Sequence, residues 1–221
     1  MKQNPTRPLM ARWFEVIFDA LYLLAAVCFG VIMLLRNTGI AGQLSGVMAL
    51  VLAVGDAFHL VPRIITAVSG DRKRMNNLLG FGKMITSITM TLFYVLLWHI
   101  GLLFFAPESA HTWTILVYIL ALSRIALCFF RQNGWTSAVP SVRWAIYRNI
   151  PFLLLGAMTA ILFGIYFHVS EPLRYMWLAI TLSFLFYIPV VVWAQKNPKL
   201  GMLMIPKTCM YIWMLAMCLA L

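Results

Sequence analysis

Charged residues are scarce in this chain: 10% of its 221 residues are charged, whereas 63% are hydrophobic. A water-soluble globule of this length needs more polar surface, so the composition excludes a soluble protein and predicts that lipid surrounds the chain. Apolar runs of about 20 residues, long enough to cross a bilayer, occupy nearly the whole sequence. We therefore expect a single transmembrane domain over residues 1–221, with no room for a soluble domain.

The sequence also lacks paired cysteine motifs. Its four cysteines all fall inside apolar runs and show no Cys-x-x-Cys spacing, which argues against a disulfide framework and against a metal site. We expect buried free thiols and no metal or other cofactor. The first apolar run is about 23 residues long and has no small-residue cleavage site, unlike a signal peptide. We expect this run to stay in the protein as the first helix.

Turn residues separate the apolar runs and predict an all-α bundle of seven transmembrane helices. The expected helices cover residues 13–35, 41–63, 77–105, 112–131, 144–168, 173–195 and 200–221. A faint similarity relates helices one to three to helices five to seven, and it includes one lysine, Lys83 or Lys207, in the last helix of each triplet. Such a 3+1+3 internal repeat occurs in transporters.

Basic residues are distributed unevenly between the two sides of the predicted bundle. Twelve Lys and Arg residues fall in the N-terminal tail and in the loops on its side, and only Arg36 and Arg174 fall opposite. The positive-inside rule then places the N-terminus in the cytoplasm and the C-terminus outside. Because these residues occupy short loops, the formal charge of +11 does not indicate nucleic-acid binding. We expect a multi-pass protein of a bacterial plasma membrane.

Ionisable side chains inside the helices are the candidate functional residues, because each costs about 2.5–3.5 kcal/mol on membrane-insertion scales. Counting about 1.5 Å per residue from alternate helix ends places them in the cytoplasmic third of the bilayer. The deepest are Asp56, Lys83, Arg124 and Lys207. The opposite half is nearly devoid of ionisable groups, so we expect a polar cavity that opens toward the cytoplasm.

Structural alternatives exist for these residues. The deep charges are equally compatible with a structural ion-pair network, and His59 with a hydrogen-bonded structural histidine. Side chains nearer the surface, such as Glu15, fit interfacial residues whose charged groups reach water. Since opposite charges at equal depth are cheapest when paired, we predict that Asp19 or Glu15 pairs with Lys207 or Lys83.

The run Ala53-Val54-Gly55-Asp56-Ala57-Phe58 ends an apolar helix, and Leu78-Leu79-Gly80-Phe81 opens the next. This arrangement resembles the Gly-Asp helix pair of the YhhN-type lysoplasmalogenase family, over roughly residues 46–97. Members of that family are polytopic membrane enzymes that hydrolyse the vinyl ether bond of lysoplasmalogens. The resemblance implies that Asp56 is the first family aspartate. The family has a second aspartate in its penultimate helix, where this sequence reads Phe184-Leu185-Phe186-Tyr187-Ile188-Pro189, and it usually has eight spans.

Two functions follow as hypotheses, beside a purely structural or partner-binding role. The first is a lysoplasmalogenase-like hydrolase, or a binder of an anionic lysophospholipid, in which carboxylates transfer protons and cations hold the head group. Its catalytic candidates are Asp56, His59 and Asp19, and its substrate-binding candidates are Lys83, Arg124, Lys207 and Tyr187. The alternative is a small-molecule or proton-coupled transporter built from three-helix repeats. The one-sided charge distribution favours the first, and the oligomeric state stays open.

Overall fold

The structure, a computed structural model, describes the backbone of residues 9–36, 39–69, 72–108, 110–137 and 139–221, and the side chains of these residues except 9–12 and 72–74. Within these residues it consists of seven α-helices and two short 3₁₀ helices, and the predicted all-α bundle is confirmed. The α-helices are α1 (Leu9–Arg36), α2 (Ile40–Ser69), α3 (Arg72–Phe105), α4 (Ala110–Phe129), α5 (Val142–Ile165), α6 (Met176–Trp193) and α7 (Met204–Leu219).

All seven helices are long and apolar enough to cross a membrane. Their outer faces carry large apolar side chains, such as Leu24, Leu122 and Ile161, that are exposed on the isolated chain. In water such a surface would aggregate, whereas in a bilayer it contacts lipid tails. The chain is therefore a multi-pass integral membrane protein.

Helices α2 and α3 extend further than predicted on one side of the bundle. Helix α2 runs on to Ser69, although Pro62 lies inside it, and α3 already begins at Arg72. Proline removes one backbone donor from the helix interior. Here the carbonyl oxygen of Pro62 accepts a hydrogen bond from Thr66 Oγ1 at 2.7 Å, and the helix continues. We call this side, which also carries the α4–α5 and α6–α7 connections, the charge-rich side; the positive-inside rule assigns it to the cytoplasm.

The last helix is shorter than predicted. Residues 200–203, expected to begin it, belong to the 3₁₀ helix Pro198–Leu203, and α7 starts at Met204. The side chain of Asn197 accepts a hydrogen bond from the backbone N–H of Lys199 and caps the 3₁₀ turn. The whole segment from Pro198 to Leu219 is still long enough to span a membrane.

Consecutive helices pack side by side in each triplet, α1 on α2 on α3 and α5 on α6 on α7. The bundle closes through contacts of α1 with α7 and of α3 with α5, and α4 packs against α3 and α5. Helix α2 also contacts α7. This last contact brings Asp56 of α2 and Lys207 of α7 to the same region of the interior.

Two glycines allow α2 and α3 to approach closely. A Cβ atom at Gly55 would collide with the side chain of Thr89, and one at Gly82 would collide with the backbone carbonyl of Phe58. Small residues at helix interfaces are the usual basis of close packing in membranes, where no hydrophobic force drives helices together. The close approach fixes the position of Asp56, which follows Gly55 in the chain.

The charge-poor half of the bundle is filled by apolar side chains, among them the buried Met33, Met48, Leu97 and Ile100. Two of its buried hydroxyl groups, those of Ser45 and Thr159, donate to the carbonyl oxygen four residues earlier in their own helices. A third, that of Ser183, bonds to the carbonyl oxygen of Ile180 and to the hydroxyl of Tyr94. The polar groups left for function lie nearer the charge-rich side.

Candidate functional site

Three deep ionisable residues lie at similar depth on three different helices. At about 1.5 Å per residue, Asp56 is about 24 Å below Ile40, the first residue of α2. Arg124 is about 21 Å below Ala110, and Lys207 is about 18 Å from Leu219. With a hydrocarbon core of about 30 Å, all three lie closer to the charge-rich interface than to the opposite one.

Asp56 is half-buried and is held by a tyrosine of the neighbouring helix. The hydroxyl group of Tyr22, a buried residue of α1, donates a hydrogen bond to Asp56 Oδ2 at 2.6 Å. Asp56 also interacts electrostatically with Lys207, although the two are not at ion-pair distance. The carboxyl group of Asp56 is therefore fixed in direction by one strong donor, with a cation nearby.

A separate group of charges, which we call the acidic cluster, consists of Glu15, Asp19 and Arg63 and joins α1 to α2. Arg63 Nη2 lies 3.0 Å from Glu15 Oε2 and donates a hydrogen bond to it. Arg63 Nε lies 3.5 Å from Asp19 Oδ2, an ion pair without hydrogen-bond geometry. Arg63, rather than Lys207, is the partner of both acids, because it lies two turns below Asp56 on the face of α2 toward α1.

His59 and Lys83 lie beside this cluster. His59 is half-buried one turn after Asp56, and its Nδ1 atom is buried without a hydrogen-bond partner in the described part of the chain. Lys83 is exposed on α3 and interacts electrostatically with His59. Neither hydrogen-bonds to Asp56 among the described residues, so a direct proton exchange between Asp56 and His59 stays a prediction.

Arg124 of α4 is the most deeply buried charged residue, with 1% of its surface exposed. Its Cζ atom lies 3.2 Å from the centre of the Phe152 ring. Within the described residues, its Nε and Nη1 atoms have no hydrogen-bond partner and no carboxylate lies at ion-pair distance. A guanidinium group has five donors and keeps its charge, so burial with only part of these donors satisfied is costly. The side chain of Cys128 is a hydrogen-bond partner of Arg124. Arg124 has an aromatic neighbour but lacks an anion.

Lys207 of α7 is in a similar state and is 8% exposed. Its Nζ atom lies 4.9 Å from the ring centre of Tyr187 and 4.6 Å from that of Tyr211. Such contacts between a cation and aromatic rings compensate part of the desolvation cost. Lys207 interacts electrostatically with Asp56 and with Arg124, but none of the described carboxylates pairs with it. We call Arg124 and Lys207 the basic cluster.

Tyr187 and Phe152 connect the two cations of the basic cluster. The ring of Tyr187 lies under Lys207, the ring of Phe152 lies under Arg124, and the two rings meet edge to face with centres 6.2 Å apart. The hydroxyl of Tyr187 donates to Asn149 Oδ1 at 3.1 Å. The sequence analysis predicted Tyr187 as a binding residue but did not predict Phe152. An apolar residue in an apolar helix does not stand out in the sequence as a candidate site residue.

Arg148, by contrast, is fully engaged by the α4–α5 connection. Its Nη1 atom donates to Asn133 Oδ1 at 2.8 Å, and its Cζ atom lies 4.2 Å from the Trp135 ring. Asn133 and Trp135 in turn donate to carbonyl groups at the end of α4, including that of Cys128. The sequence predicted only a turn here, whereas the structure shows a helix cap that holds an arginine.

A cavity of about 450 Å³ lies at the charge-rich side, between the start of α3 and the α4–α5 connection. Its lining includes Phe81, Arg131 and Trp135 and contains none of the predicted site residues. The described residues also include no group of three or more His, Cys, Asp or Glu side chains that could hold a metal ion.

The structure brings four of the seven predicted site residues together: Asp56, Lys207, Arg124 and Tyr187 follow one another across the bundle interior. Asp19, His59 and Lys83 lie to one side, near the acidic cluster. Tyr22 was not predicted, although its position one turn after Asp19 on α1 was a usable signal. No family model, curated protein or solved structure matches this chain. Its function has to be inferred from the geometry of the site.

Proposed function

We propose that the protein binds the anionic head group of a lysophospholipid inside the membrane, at the basic cluster. The observation that carries this proposal is the buried guanidinium of Arg124, whose Nε and Nη1 atoms lack partners among the described residues. Phosphate and carboxylate groups bind guanidinium through paired hydrogen bonds that are about twice as strong as neutral ones. An anion is therefore the group that would complete the site.

The position of the basic cluster favours a lipid over a water-soluble anion. Both cations lie in membrane-spanning helices, and the side chains around them are largely aromatic, such as Phe152, Tyr187 and Tyr211. Burying the anionic group is costly for either ligand. A lipid offsets this cost with a hydrocarbon chain that stays in apolar surroundings, whereas a free anion has no such chain.

Asp56 gives the site a group that can transfer protons, as the lysoplasmalogenase resemblance implies. In a vinyl ether substrate, Asp56 would protonate the outer vinyl carbon, and water would add to the carbon bonded to oxygen. The proton released by this water returns to Asp56, and the resulting hemiacetal breaks into an aldehyde and a free glycerol hydroxyl. We assign both proton steps to Asp56, because Asp19 is held by Arg63.

Lipid binding is tested by Arg124→Gln, which keeps hydrogen-bonding capacity but removes the charge. For the purified protein in a neutral detergent, calorimetric titration with lysophosphatidic acid should show at least about a tenfold loss of affinity, the effect of a lost charge-assisted hydrogen bond. The matched control is Arg131→Gln, at an exposed position beyond the end of α4. Equal affinity of wild type and Arg124→Gln would contradict the proposal.

The transporter is the second candidate, and the helix contacts favour it in one respect. If the repeat is real, α1 corresponds to α5 and α3 corresponds to α7. The contact of α1 with α7 then has a symmetry-related counterpart, the contact of α5 with α3, and the structure contains both. This is expected for two parallel repeats related by a two-fold axis. Uptake of a small anion into sealed vesicles, without chemical change of any lipid, would favour this candidate over the hydrolase.

A further inference from the structure

A narrow cleft between α5 and α6 opens on the lipid-facing surface of the bundle and has a volume of about 100 Å³. Its walls are almost entirely apolar. They are formed by Ile146, Ile150, Phe152, Leu153, Phe184, Tyr187, Ile188, Val191 and Val192, together with Asn149. The two polar groups of the lining, the side chains of Asn149 and Tyr187, bond to each other. The cleft offers a hydrocarbon chain nothing but apolar contact.

The inner end of the cleft touches the basic cluster. Phe152 and Tyr187 line the cleft, and the same two rings lie against Arg124 and Lys207. This edge-to-face ring pair therefore lies between the apolar cleft and two buried cations, neither of which has a carboxylate at ion-pair distance in the described chain.

We propose that the α5–α6 cleft is the lateral entrance of the site and holds the hydrocarbon chain of the anionic single-chain lipid, with Phe152 and Tyr187 as the gate. This inference rests on the proposed function and adds the path by which the lipid enters the site and the subsite that binds its hydrocarbon chain. Charge complementarity selects the occupant: a ligand that lies in the cleft and passes the gate must be apolar along its length and anionic at its inner end.

The backbone next to the cleft is suited to local opening. Pro151 precedes Phe152 in α5, and Pro189 follows Ile188 in α6. Each proline removes one intrahelical hydrogen bond, which makes a helix easier to bend at that point. The gate residues Phe152 and Tyr187 therefore lie within two residues of a proline in the helices that border the cleft.

Photochemical crosslinking tests this entrance in phosphatidylcholine vesicles. The probe is a lysophosphatidic acid with a diazirine near the start of its chain, and the crosslinked peptides are identified by mass spectrometry. Ile188→Trp fills the cleft, and Leu185→Trp, on the same helix but outside the cleft lining, is the matched control; these positions are 38% and 61% exposed. We expect saturable crosslinks to α5 and α6. The apparent affinity of the probe, taken from the concentration at which crosslinking saturates, should fall at least about tenfold in Ile188→Trp and stay unchanged in Leu185→Trp.

Arg124→Gln and a monoacylglycerol probe with the same chain separate the remaining outcomes. The proposed entrance is supported if the α5–α6 crosslinks are lost both in Arg124→Gln and when the wild type is treated with the monoacylglycerol probe. Saturable crosslinks that need Arg124 but map to other helices would overturn the entrance and leave the proposed function standing. Crosslinks to α5 and α6 that are the same in Arg124→Gln and with the uncharged probe would show ordinary contact with bilayer lipid and overturn the proposed entrance. Absence of saturable crosslinking would overturn both.

Discussion

The acidic and basic clusters both lie toward the charge-rich side but differ in how their charges are balanced. In the acidic cluster, Glu15 and Asp19 share Arg63, so every formal charge has a partner of opposite sign. In the basic cluster, Arg124 and Lys207 contact aromatic rings and lack a carboxylate partner within the described chain. A charge with a protein partner stabilises the fold, whereas a buried charge without one is kept at a cost and indicates a ligand.

Asp56 lies between the two clusters. Tyr22 of α1 holds its carboxyl group on one side, and Lys207 attracts it electrostatically from the other. This position agrees with the three roles that we propose: cohesion for the acidic cluster, proton transfer for Asp56 and anion binding for the basic cluster.

The largest effect is expected from Asp56→Asn, which keeps the side-chain volume and the contact to Tyr22 but cannot titrate. Turnover of a vinyl ether lysophospholipid should fall by at least about a hundredfold, the contribution of a general acid, while lipid binding persists. Glu171→Gln, at an exposed acid on the charge-poor side, is the control. Full turnover in Asp56→Asn would make Asp56 a structural residue, and absence of turnover in the wild type would refute the hydrolase.

Arg63→Ala should destabilise the protein by about 2–3 kcal/mol, since it removes the cation that Glu15 and Asp19 share. This is below the usual cost of breaking a fully buried pair, because the Arg63 side chain is 34% exposed. The comparison variant is Arg174→Ala, whose pairing with Glu171 is exposed and should contribute about 0.5 kcal/mol. Unfolding in mixed micelles measures both. Equal effects would show that the acidic cluster has no special role in cohesion.

The seven helices were predictable because lipid allows few alternatives: a backbone in the bilayer core must satisfy its own hydrogen bonds, and helices do so. Depth was also predictable, since it follows from counting residues, and it placed Asp56, Arg124 and Lys207 at one level. The extension of α2 from residue 63 to Ser69 was missed because the helix continues beyond the apolar run into the charge-rich interface.

The partners of the charges were not predictable in the same way. Depth constrains which charges can meet, but the rotation of each helix about its axis decides which of them do. Asp19 was expected to pair with a lysine of another helix, whereas the face of α1 that carries it points to Arg63 on α2. Phe152 was missed for a related reason: its neighbour Arg124 comes from α4, and nothing in α5 indicates that contact.

The most direct test of the central claim is the stabilisation of the protein by lysophosphatidic acid, measured as the free energy of unfolding with and without lipid in wild type and Arg124→Met. Replacing a buried charge that lacks an anionic partner among the described residues by an apolar side chain of similar length should stabilise the empty protein by about 1–2 kcal/mol. Lipid at about 100 times its wild-type dissociation constant should stabilise the wild type by about 2.7 kcal/mol and Arg124→Met, whose affinity is at least about tenfold lower, by no more than about 1.4 kcal/mol. A variant that is less stable when empty, or equally stabilised by the lipid, would contradict the claim that Arg124 is kept for an anion.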